Sequence, residues 1–381
     1  MFSRFNHVVR AFEKRYTSLF GDRGTTVALQ LPGYPATVFG DGEPAATLVV
    51  KDQDGIAALS TFDTLRIGEA YLAGSLDVLG DLSGLLALRD LFTDRHPLRF
   101  LYRFVRPLLF GQVRSDRAVV AEHYDFDPEF FLLFLDRRHH CYSHGVFERD
   151  DEPLEDAMTR KLEFALDAIQ AKRGDRVLDI GGGWGSFVEF AGKRGVRVTS
   201  LTISEAGRRY IQELIDREHL PCEVRLEHFF EHRPTARYNA IVNLGATEHL
   251  PNYRATVRRY HELLEPGGRV YLDACAARER NDVSSFSERY IFRGNGTPIH
   301  LPGYVDAVTR SLMQILTVIN DRNNYRLTSK RWAEGLDAHR AEAEGRWGRA
   351  QYRRFRLYLW GCVDAFRRDA LQAYRVVLRR A

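Results

Sequence analysis

Residues 175–185, Asp-Arg-Val-Leu-Asp-Ile-Gly-Gly-Gly-Trp-Gly, are the stretch that predicts the fold of this chain. A short apolar strand at 177–180 runs into a turn with glycines at 181, 183 and 185, and a helix is expected from Ser186. Glycines let the backbone approach a ligand closely, and the free N–H groups of the helix N-terminus can face that ligand. The stretch therefore reads as the first βα turn of a nucleotide-binding parallel sheet.

The order of the glycines indicates the kind of ligand. The turn follows D-x-G-x-G-x-G, whereas dinucleotide-binding folds need G-x-G-x-x-G and P-loops need a lysine after the glycines. This spacing fits S-adenosylmethionine better than a pyrophosphate cofactor or a nucleoside triphosphate. We predict that Asp179, Gly181, Gly183 and Gly185 bind this cofactor.

The sequence after the turn alternates between predicted strands and predicted helices. The strands lie at 196–201, 222–227, 239–244 and 269–274, and the helices at 153–172, 186–194, 205–218 and 252–264. Such alternation predicts an α/β fold with a doubly wound, mostly parallel sheet. Further strands at 25–31 and 46–51 and helices at 54–63 and 81–93 predict a smaller N-terminal α+β domain. We expect an auxiliary domain over 1–94, a basic connector over 95–120 and the main domain over 121–381.

Composition excludes several classes of protein. A chain of 381 residues, 44% hydrophobic and 28% charged, is ordinary for a globular protein of two domains. Its four cysteines are far apart and form no C-x-x-C, so we predict neither a metal site nor disulfides, and a cytoplasmic location. The N-terminus lacks the apolar run of a signal peptide, and no segment approaches 18 apolar residues, so no membrane span is expected.

Positive charge is concentrated in two segments. Residues 346–381 contain ten arginines against Asp364 and Asp369, with aromatic and aliphatic residues between them, and 95–117 is a second basic stretch. Basic amphipathic segments suit anionic lipid head groups. We therefore expect peripheral association with the inner face of the membrane; the alternative is a solvated arginine-rich face over an ordinary core. No nucleic acid is expected as a partner, because no recognition motif accompanies the charge.

Short motifs follow one another in a fixed order along the chain. They are Gly68-Glu69-Ala70-Tyr71 and Gly74 in the auxiliary domain, His123-Tyr124-Asp125, Phe134-Leu135-Asp136, Tyr142-Ser143, the glycine turn, Leu201-Thr202-Ile203-Ser204, Glu248-His249, Arg289-Tyr290-Ile291-Phe292 and Tyr325. This order resembles the cyclopropane-fatty-acyl-phospholipid synthase family. The resemblance implies a class I methyltransferase fold and methyl transfer from S-adenosylmethionine to the double bond of an acyl chain in membrane phospholipid.

The same resemblance implies roles for individual residues. Attack by an alkene leaves a carbocation, which aromatic faces stabilise, and we select Tyr290 and Tyr325 for this role. Glu248 matches the glutamate that orients a bicarbonate ion, the base that removes the final proton in the family. The expected partners are an unsaturated phospholipid and an anionic membrane surface, with a homodimer left open. The remaining cofactor-binding residues implied by the family are Tyr142, Ser143, Thr202, Ile203, His228 and Phe229.

Two substitutions distinguish this chain from the family pattern at the proton-accepting centre. His144 stands where the family usually has cysteine, and Asp273 stands where the family usually offers a histidine to bicarbonate. A histidine can itself accept a proton near neutral pH, so the base is either bicarbonate or a side chain such as His144. The product is open between a cyclopropane and a methyl-branched or methylene-bearing chain. Methylation of a small metabolite and a lipid-binding protein without turnover are the alternative functions.

Overall fold

A computed structural model describes residues 2–21, 24–94, 127–279, 284–292 and 296–381. The basic connector that we expect at 95–120 and the motif His123-Tyr124-Asp125 lie outside the described residues. Within the described part of the chain, no helix is both long and apolar enough to cross a membrane.

Fourteen α-helices and eleven strands make up the regular structure of the described residues. In chain order they are α1 (Phe2–Phe20), β1 (Val27–Gln30), β2 (Thr37–Phe39), β3 (Ala46–Val50), α2 (Gln53–Ser60), α3 (Thr64–Ala73), β4 (Leu76–Gly80), α4 (Leu82–Leu86), α5 (Pro128–Leu132), α6 (Leu154–Ile169), β5 (Arg176–Ile180), α7 (Ser186–Gly192), β6 (Arg197–Thr202), α8 (Glu205–Glu218), β7 (Glu223–Leu226), β8 (Tyr238–Leu244), α9 (Tyr253–Leu263), β9 (Leu264–Ala277), α10 (Ser285–Tyr290), α11 (Leu301–Thr309), β10 (Met313–Asn320), α12 (Arg322–Ala338), α13 (Arg340–Trp347), α14 (Arg349–Arg367) and β11 (Leu371–Arg380).

The described residues form two compact units. The smaller contains the residues up to 94 together with Ser284–Ile291 and Leu336–Asp364, and the larger contains the other described residues from 127 onward. Two segments that we expected within the main domain, 284–291 and 336–364, thus belong to the smaller unit. The chain leaves the smaller unit and later returns to it twice, so one continuous range of residues cannot describe either unit.

The smaller unit is built on a four-stranded sheet in the order β2-β1-β3-β4. β1 and β3 are parallel, and the outer pairs are antiparallel. The inward side chains of β3 alternate with half-buried ones, because only one face of the sheet meets the core. Helix α1 contributes Val8, Phe12 and Tyr16 to that core.

The larger unit is built on a seven-stranded sheet in the order β10-β11-β9-β8-β5-β6-β7. The five strands from β9 to β7 are parallel, and β11 and β10 add an antiparallel edge. The central strand β5 is buried along almost its whole length, since helices cover both of its faces. The order reverses between β5 and β8, and in such sheets ligands bind at the carboxyl ends of the strands beside this point.

The predicted α/β class and mostly parallel sheet are confirmed. Each strand predicted between 177 and 274 is present, and the helix predicted at 205–218 matches α8. The sequence analysis did not identify α1, β10 or β11. The arginine-rich segment 346–381 is not a single helix: it forms α14 and then β11, the penultimate strand of the larger sheet.

Candidate active site

The glycine turn is held by both strands that flank β5. The N–H groups of Gly181 and Gly182 donate to the Leu201 carbonyl at the end of β6, at 2.9 and 3.1 Å. Gly181 has a φ of +79°, and a Cβ there would lie 2.5 Å from Cβ of Ala246, in the loop after β8. Only glycine therefore allows the turn to close against that loop.

A cavity opens at the turn, beside the point where the strand order reverses. Apart from Gly185, all the residues that we predicted to bind the cofactor line it. They are Tyr142, Ser143, Asp179, Gly181, Gly183, Thr202, Ile203, His228 and Phe229.

Gly185 has a different position. It is not part of the cavity wall but precedes the first residue of α7, with a φ of +78°. A Cβ at Gly185 would lie 2.8 Å from Cδ2 of Leu214. The absence of a side chain at Gly185 therefore allows the turn to pack against α8.

The walls of the cavity offer both apolar and polar groups to a ligand such as S-adenosylmethionine. Trp184, Ile203 and Leu250 supply apolar surface for an adenine ring, and the Glu227 carboxylate is an acceptor for amino or hydroxyl groups. At Gly183, φ is +54°, and an added Cβ would meet only the Gly181 carbonyl oxygen, at 3.9 Å. The backbone of the turn therefore faces open space that a ligand can occupy.

The Asp179 carboxyl group, at the end of β5, is buried. Ser200 donates a hydrogen bond to Asp179 Oδ2 at 2.8 Å. Burial raises the pKa of Asp179 to about 6, and the hydrogen bond from Ser200 opposes that shift.

Residues 141–143 form part of the cavity wall, and hydrogen bonds fix the segment 141–145 at three positions. The Cys141 N–H donates to Asp136 Oδ2 at 2.8 Å, and the Gly145 N–H donates to Thr328 Oγ1 at 3.0 Å. Between them, Ser143 accepts a hydrogen bond from Lys161. Because the residues on both sides of His144 are held by these hydrogen bonds, the position of His144 is fixed.

Lys161, on α6, forms a fully buried ion pair with Asp273 on β9. Its Nζ lies 3.2 Å from Asp273 Oδ2, and neither side chain is exposed. The Asp273 oxygens accept no hydrogen bond from the described residues. The pair therefore places compensating charges beside the 141–145 segment without exposing either to solvent.

Glu248 lies in the loop after β8, and its carboxyl group is fixed by β9. Its Oε1 accepts a hydrogen bond from the Cys275 N–H at 2.7 Å, while Oε2 is buried with no hydrogen-bond partner among the described residues. Burial raises the pKa of Glu248 to about 7, and Asp273 adds to the shift. Glu248 is therefore able to gain or lose a proton near neutral pH.

His144 is buried and contacts a carboxylate on one side only. Its Nε2 lies 3.1 Å from Asp321 Oδ2, whereas Nδ1 is buried with no partner among the described residues. The ring also packs on Tyr325, with 4.9 Å between the ring centroids, and Tyr325 stacks on Phe366 at 4.7 Å. An imidazole and the aromatic ring selected from the sequence are thus brought together, although His144 departs from the family pattern.

Tyr290, the other aromatic residue selected from the sequence, belongs to the smaller unit. Its hydroxyl donates to Glu69 Oε1 at 3.1 Å. Its ring lies 5.2 Å from that of Phe286. A role for Tyr290 in stabilising a cation stays a prediction.

The residues around His144 do not fit a bicarbonate ion well. An anion is stabilised by donors and positive charge, whereas the carboxyl groups of Glu248 and Asp273 are buried here and present oxygen atoms that accept no hydrogen bond from the described residues. Lys161, the cation beside them, is already paired with Asp273 and hydrogen-bonded to Ser143. We derive no step through bicarbonate.

Sequence reasoning missed three residues of this region: Lys161, Asp321 and Arg375. Lys161 carries a weak signal, because it falls on the apolar face of a predicted helix, where a charge needs a partner. Arg375 was grouped with the surface arginines of 346–381, yet it is buried and pairs with Asp321. Partners 54 residues apart cannot be matched from one sequence.

Comparison with known sequences identifies the family. The sequence profile of mycolic acid cyclopropane synthetase matches residues 112–376. A probable fatty acid methyltransferase of Pseudomonas putida is 25% identical over 88% of this chain and 87% of its own length. Cyclopropane mycolic acid synthase MmaA2 of Mycobacterium tuberculosis is 30% identical over 65% of this chain and 92% of its own. A sphingolipid C9-methyltransferase of Candida albicans is 26% identical over 82% of this chain, which covers 65% of that protein.

Solved structures agree with the sequence comparison. MmaA2 of Mycobacterium tuberculosis superposes with a TM-score of 0.65 and 27% identity, over 69% of this chain and 98% of that one. Mycolic acid cyclopropane synthase CmaA1, solved in complex with SAH and CTAB, gives a TM-score of 0.64 and 27% identity over the same shares. With the predicted cofactor cavity present at the switch point of the sheet, this chain belongs to the mycolic acid cyclopropane synthetase family and is an S-adenosylmethionine-dependent methyltransferase.

Proposed function

We propose that this protein methylates a carbon–carbon double bond in the acyl chain of a membrane phospholipid. The observation that carries the proposal is the buried stack of His144, Tyr325 and Phe366, whose first residue directly follows Ser143 of the cofactor-cavity wall in the chain. A methyl acceptor such as an amine or phenol needs no aromatic stack. An alkene does, because its methylation leaves a carbocation that must be stabilised without being captured.

Different residues of the chain contribute to different steps of the reaction. S-adenosylmethionine supplies an electrophilic methyl group when bound. The fixed segment 141–145 and the glycine turn hold the two reactants in line and exclude water. The electron-rich aromatic stack that contains Tyr325 stabilises the positive charge that develops on the acyl chain, a contribution of about 2 kcal/mol or more in a desolvated site. A buried base then removes a proton, either from the transferred methyl group or from a chain carbon next to the cation.

Loss of that proton completes the product. If the C–H bond that breaks belongs to the transferred methyl group, its electron pair bonds the methyl carbon to the cationic carbon and closes a cyclopropane. If it belongs to a chain carbon next to the cation, the electron pair forms a double bond and the methyl branch remains. Glu248 supports the step as a proton-exchanging group, since its pKa is raised to about 7 by burial. The names of the relatives, which refer to fatty acids, mycolic acids and sphingolipids, favour a lipid acyl chain over a small metabolite.

The test supplies the purified protein with S-adenosylmethionine and phospholipid vesicles of either monounsaturated or saturated acyl chains. We expect release of S-adenosylhomocysteine and a lipid heavier by one carbon only with the unsaturated vesicles, as measured by mass spectrometry. Equal turnover with both would contradict attack on a double bond. Vesicle binding without turnover would favour the lipid-binding alternative, and turnover only on metabolites from a cell extract would favour a small-molecule substrate.

A further inference from the structure

The buried histidine of the active site is part of a chain of polar contacts that reaches the antiparallel edge of the sheet. His144 Nε2 lies 3.1 Å from Asp321 Oδ2, and the two side chains are 0% and 1% exposed. Asp321 directly precedes α12 and is itself paired with Arg375 on β11. Water cannot replace either contact, so the geometry of the imidazole depends on these partners.

Asp321 is held as a carboxylate by several donors. Arg375 donates to it through Nε and through Nη2, the latter at 3.0 Å from Oδ1. Asn324 Nδ2 donates to Oδ1 at 2.7 Å. Burial by itself would raise the pKa of Asp321, but the contacts with His144 and Arg375 outweigh it and lower the pKa to about 2.

A carboxylate has no hydrogen to donate, and this decides the state of the imidazole. The hydrogen between His144 and Asp321 must be carried by Nε2. In a neutral ring the other nitrogen, Nδ1, then carries a lone pair. That atom is buried and, among the described residues, has no hydrogen-bond partner. A buried acceptor without a partner costs free energy, so its retention indicates a use.

We propose that Asp321 and Arg375 are positioning residues that hold His144 in its Nε2–H form, so that Nδ1 is the proton acceptor of the methylation. The inference rests on the proposed function, because the proton in question is the one lost from the methylated acyl chain.

The step balances without any further reactant. A C–H bond breaks on the transferred methyl group or on a chain carbon next to the cationic carbon. Its electron pair closes the cyclopropane in the first case or forms the double bond in the second, and the proton binds Nδ1. The acyl chain becomes neutral and His144 becomes an imidazolium, which Asp321 stabilises through the Nε2 hydrogen bond. The proton returns to solvent after product release.

The charges around His144 favour this cycle. Arg375 compensates Asp321, and Lys161 compensates Asp273, which lies opposite Arg375 in the register of β11 and β9. The surroundings are therefore balanced before the reaction, and the ring need not be charged to satisfy Asp321. One proton can then be accepted without leaving an uncompensated carboxylate.

The first test measures which nitrogen of His144 carries the hydrogen and does not depend on turnover. Nitrogen-15 NMR of imidazole-labelled protein, with His144→Gln to assign the signal, should show that the neutral ring of His144 carries its hydrogen on Nε2. In Asp321→Asn the amide can donate to Nε2, so the Nδ1–H form should increase. A neutral Nδ1–H ring in the unaltered protein would overturn the proposal.

The second test measures turnover on unsaturated vesicles. Asp321→Asn should lower kcat by at least about 100-fold, with KM and affinity for S-adenosylhomocysteine unchanged, and Asp321→Glu should recover part of the loss. Asp337→Asn is the matched control, because Asp337 accepts from Tyr352, Arg356 and Trp360 in the smaller unit. An Asp321→Asn variant that turns over like Asp337→Asn would overturn the positioning role.

The third test compares turnover with and without bicarbonate. In carbonate-depleted buffer the unaltered protein should keep its rate, and His144→Cys should lose it. If the rate falls on depletion and His144→Cys is unaffected, Nδ1 is not the acceptor. These outcomes differ from a failure of the proposed function, in which the unaltered protein makes no methylated lipid under any condition.

Discussion

At the scale of single residues, the active site is defined by buried polar atoms whose protonation depends on their surroundings. Glu248 and Asp321 illustrate two opposite results. The pKa of Glu248 is raised to about 7 because its carboxyl group is buried with one backbone donor. The pKa of Asp321 is lowered to about 2 because an arginine and a histidine outweigh the same burial. Both carboxyl groups are buried, so the direction of each pKa shift depends on the groups that contact the carboxyl.

Replacing Glu248 should affect rate more than binding. Glu248→Gln keeps the size of the side chain and its acceptor for the Cys275 N–H, but it cannot exchange a proton. We expect kcat to fall more than tenfold, while the affinity for S-adenosylhomocysteine measured by calorimetry stays the same. Glu262→Gln, an exposed position on α9, serves as the control. An unchanged kcat would exclude Glu248 from the chemistry.

The raised pKa of Glu248 also predicts how stability depends on pH. Between about pH 4.5 and pH 7 the carboxyl group is ionised in the unfolded chain but protonated in the fold, so the unfolded state binds fewer protons. Its contribution to the free energy of unfolding therefore decreases as pH rises through that window, on the order of 3 kcal/mol in total. In Glu248→Gln this decrease should be absent, as measured by urea unfolding at several pH values. The same pH dependence in both proteins would contradict the shift.

Gly183 tests the cofactor cavity at the same scale. Gly183→Val places a branched side chain in open space on the cavity wall, so we expect calorimetry to show loss of S-adenosylmethionine binding. The φ of +54° adds backbone strain. Gly174→Val controls for strain alone, because Gly174 has a φ of +89°, nothing within 4 Å of an added Cβ and no place in the cavity wall. Equal affinity in the two variants would contradict the assignment.

At the scale of elements, α6 and β9 are joined by an ion pair and not only by apolar packing. Lys161 lies on the buried face of α6, between Met158 and Ala165, where an unpaired charge would be very costly. Asp273 provides the opposite charge from β9. Because Lys161 also donates to Ser143, the same side chain connects the helix, the sheet and the 141–145 segment.

Breaking this pair from one side should destabilise the larger unit strongly. Lys161→Met leaves Asp273 buried without a cation, a loss of about 3–5 kcal/mol, which corresponds to a fall of roughly 10 °C in Tm. The double variant Lys161→Met/Asp273→Asn should lose less than the single one, since no charge is left uncompensated. Lys193→Met is the control, as Lys193 is half-exposed in its pair with Glu189. Equal Tm losses for Lys161→Met and Lys193→Met would show that the pair contributes little.

At the scale of the whole molecule, the arginine-rich segment has more than one function. Arg353 is buried and contacts the carbonyl groups of Tyr71 and Leu76 together with Asp77, and Arg375 is buried against Asp321. Arg346 and Arg349 are exposed. Only part of the segment can therefore meet a lipid surface, and the peripheral membrane association that we propose depends on that part.

Binding to vesicles should follow charge. We expect association with anionic vesicles to weaken steeply with salt, because exposed charges are screened beyond about 8 Å at physiological ionic strength. Reversing Arg346 and Arg349 to glutamate should weaken it further, while Arg217→Glu, an exposed arginine on α8, should have little effect. Co-sedimentation would measure both. Equal binding to neutral and anionic vesicles, or none to either, would contradict an electrostatic contribution.

The sequence by itself determined the five parallel strands of the larger sheet, the position of the cofactor cavity and the family. These depend on local patterns: apolar runs that form buried strands, glycines that close a turn, and motifs read in chain order. For the same reason most of the predicted cofactor residues lie together, since the ends of parallel strands meet at one edge of a sheet.

Only the tertiary structure decided which polar side chains are partners. Lys161 meets Asp273 across 112 positions, and His144 meets Asp321 across 177, and no periodicity links residues so far apart. The sequence could not show that Arg375 is buried, because an arginine in a basic segment is exposed unless a carboxylate comes to it. Charge compensation in a low-dielectric interior is a property of three-dimensional neighbours, and here it determines which nitrogen of His144 is left to accept a proton.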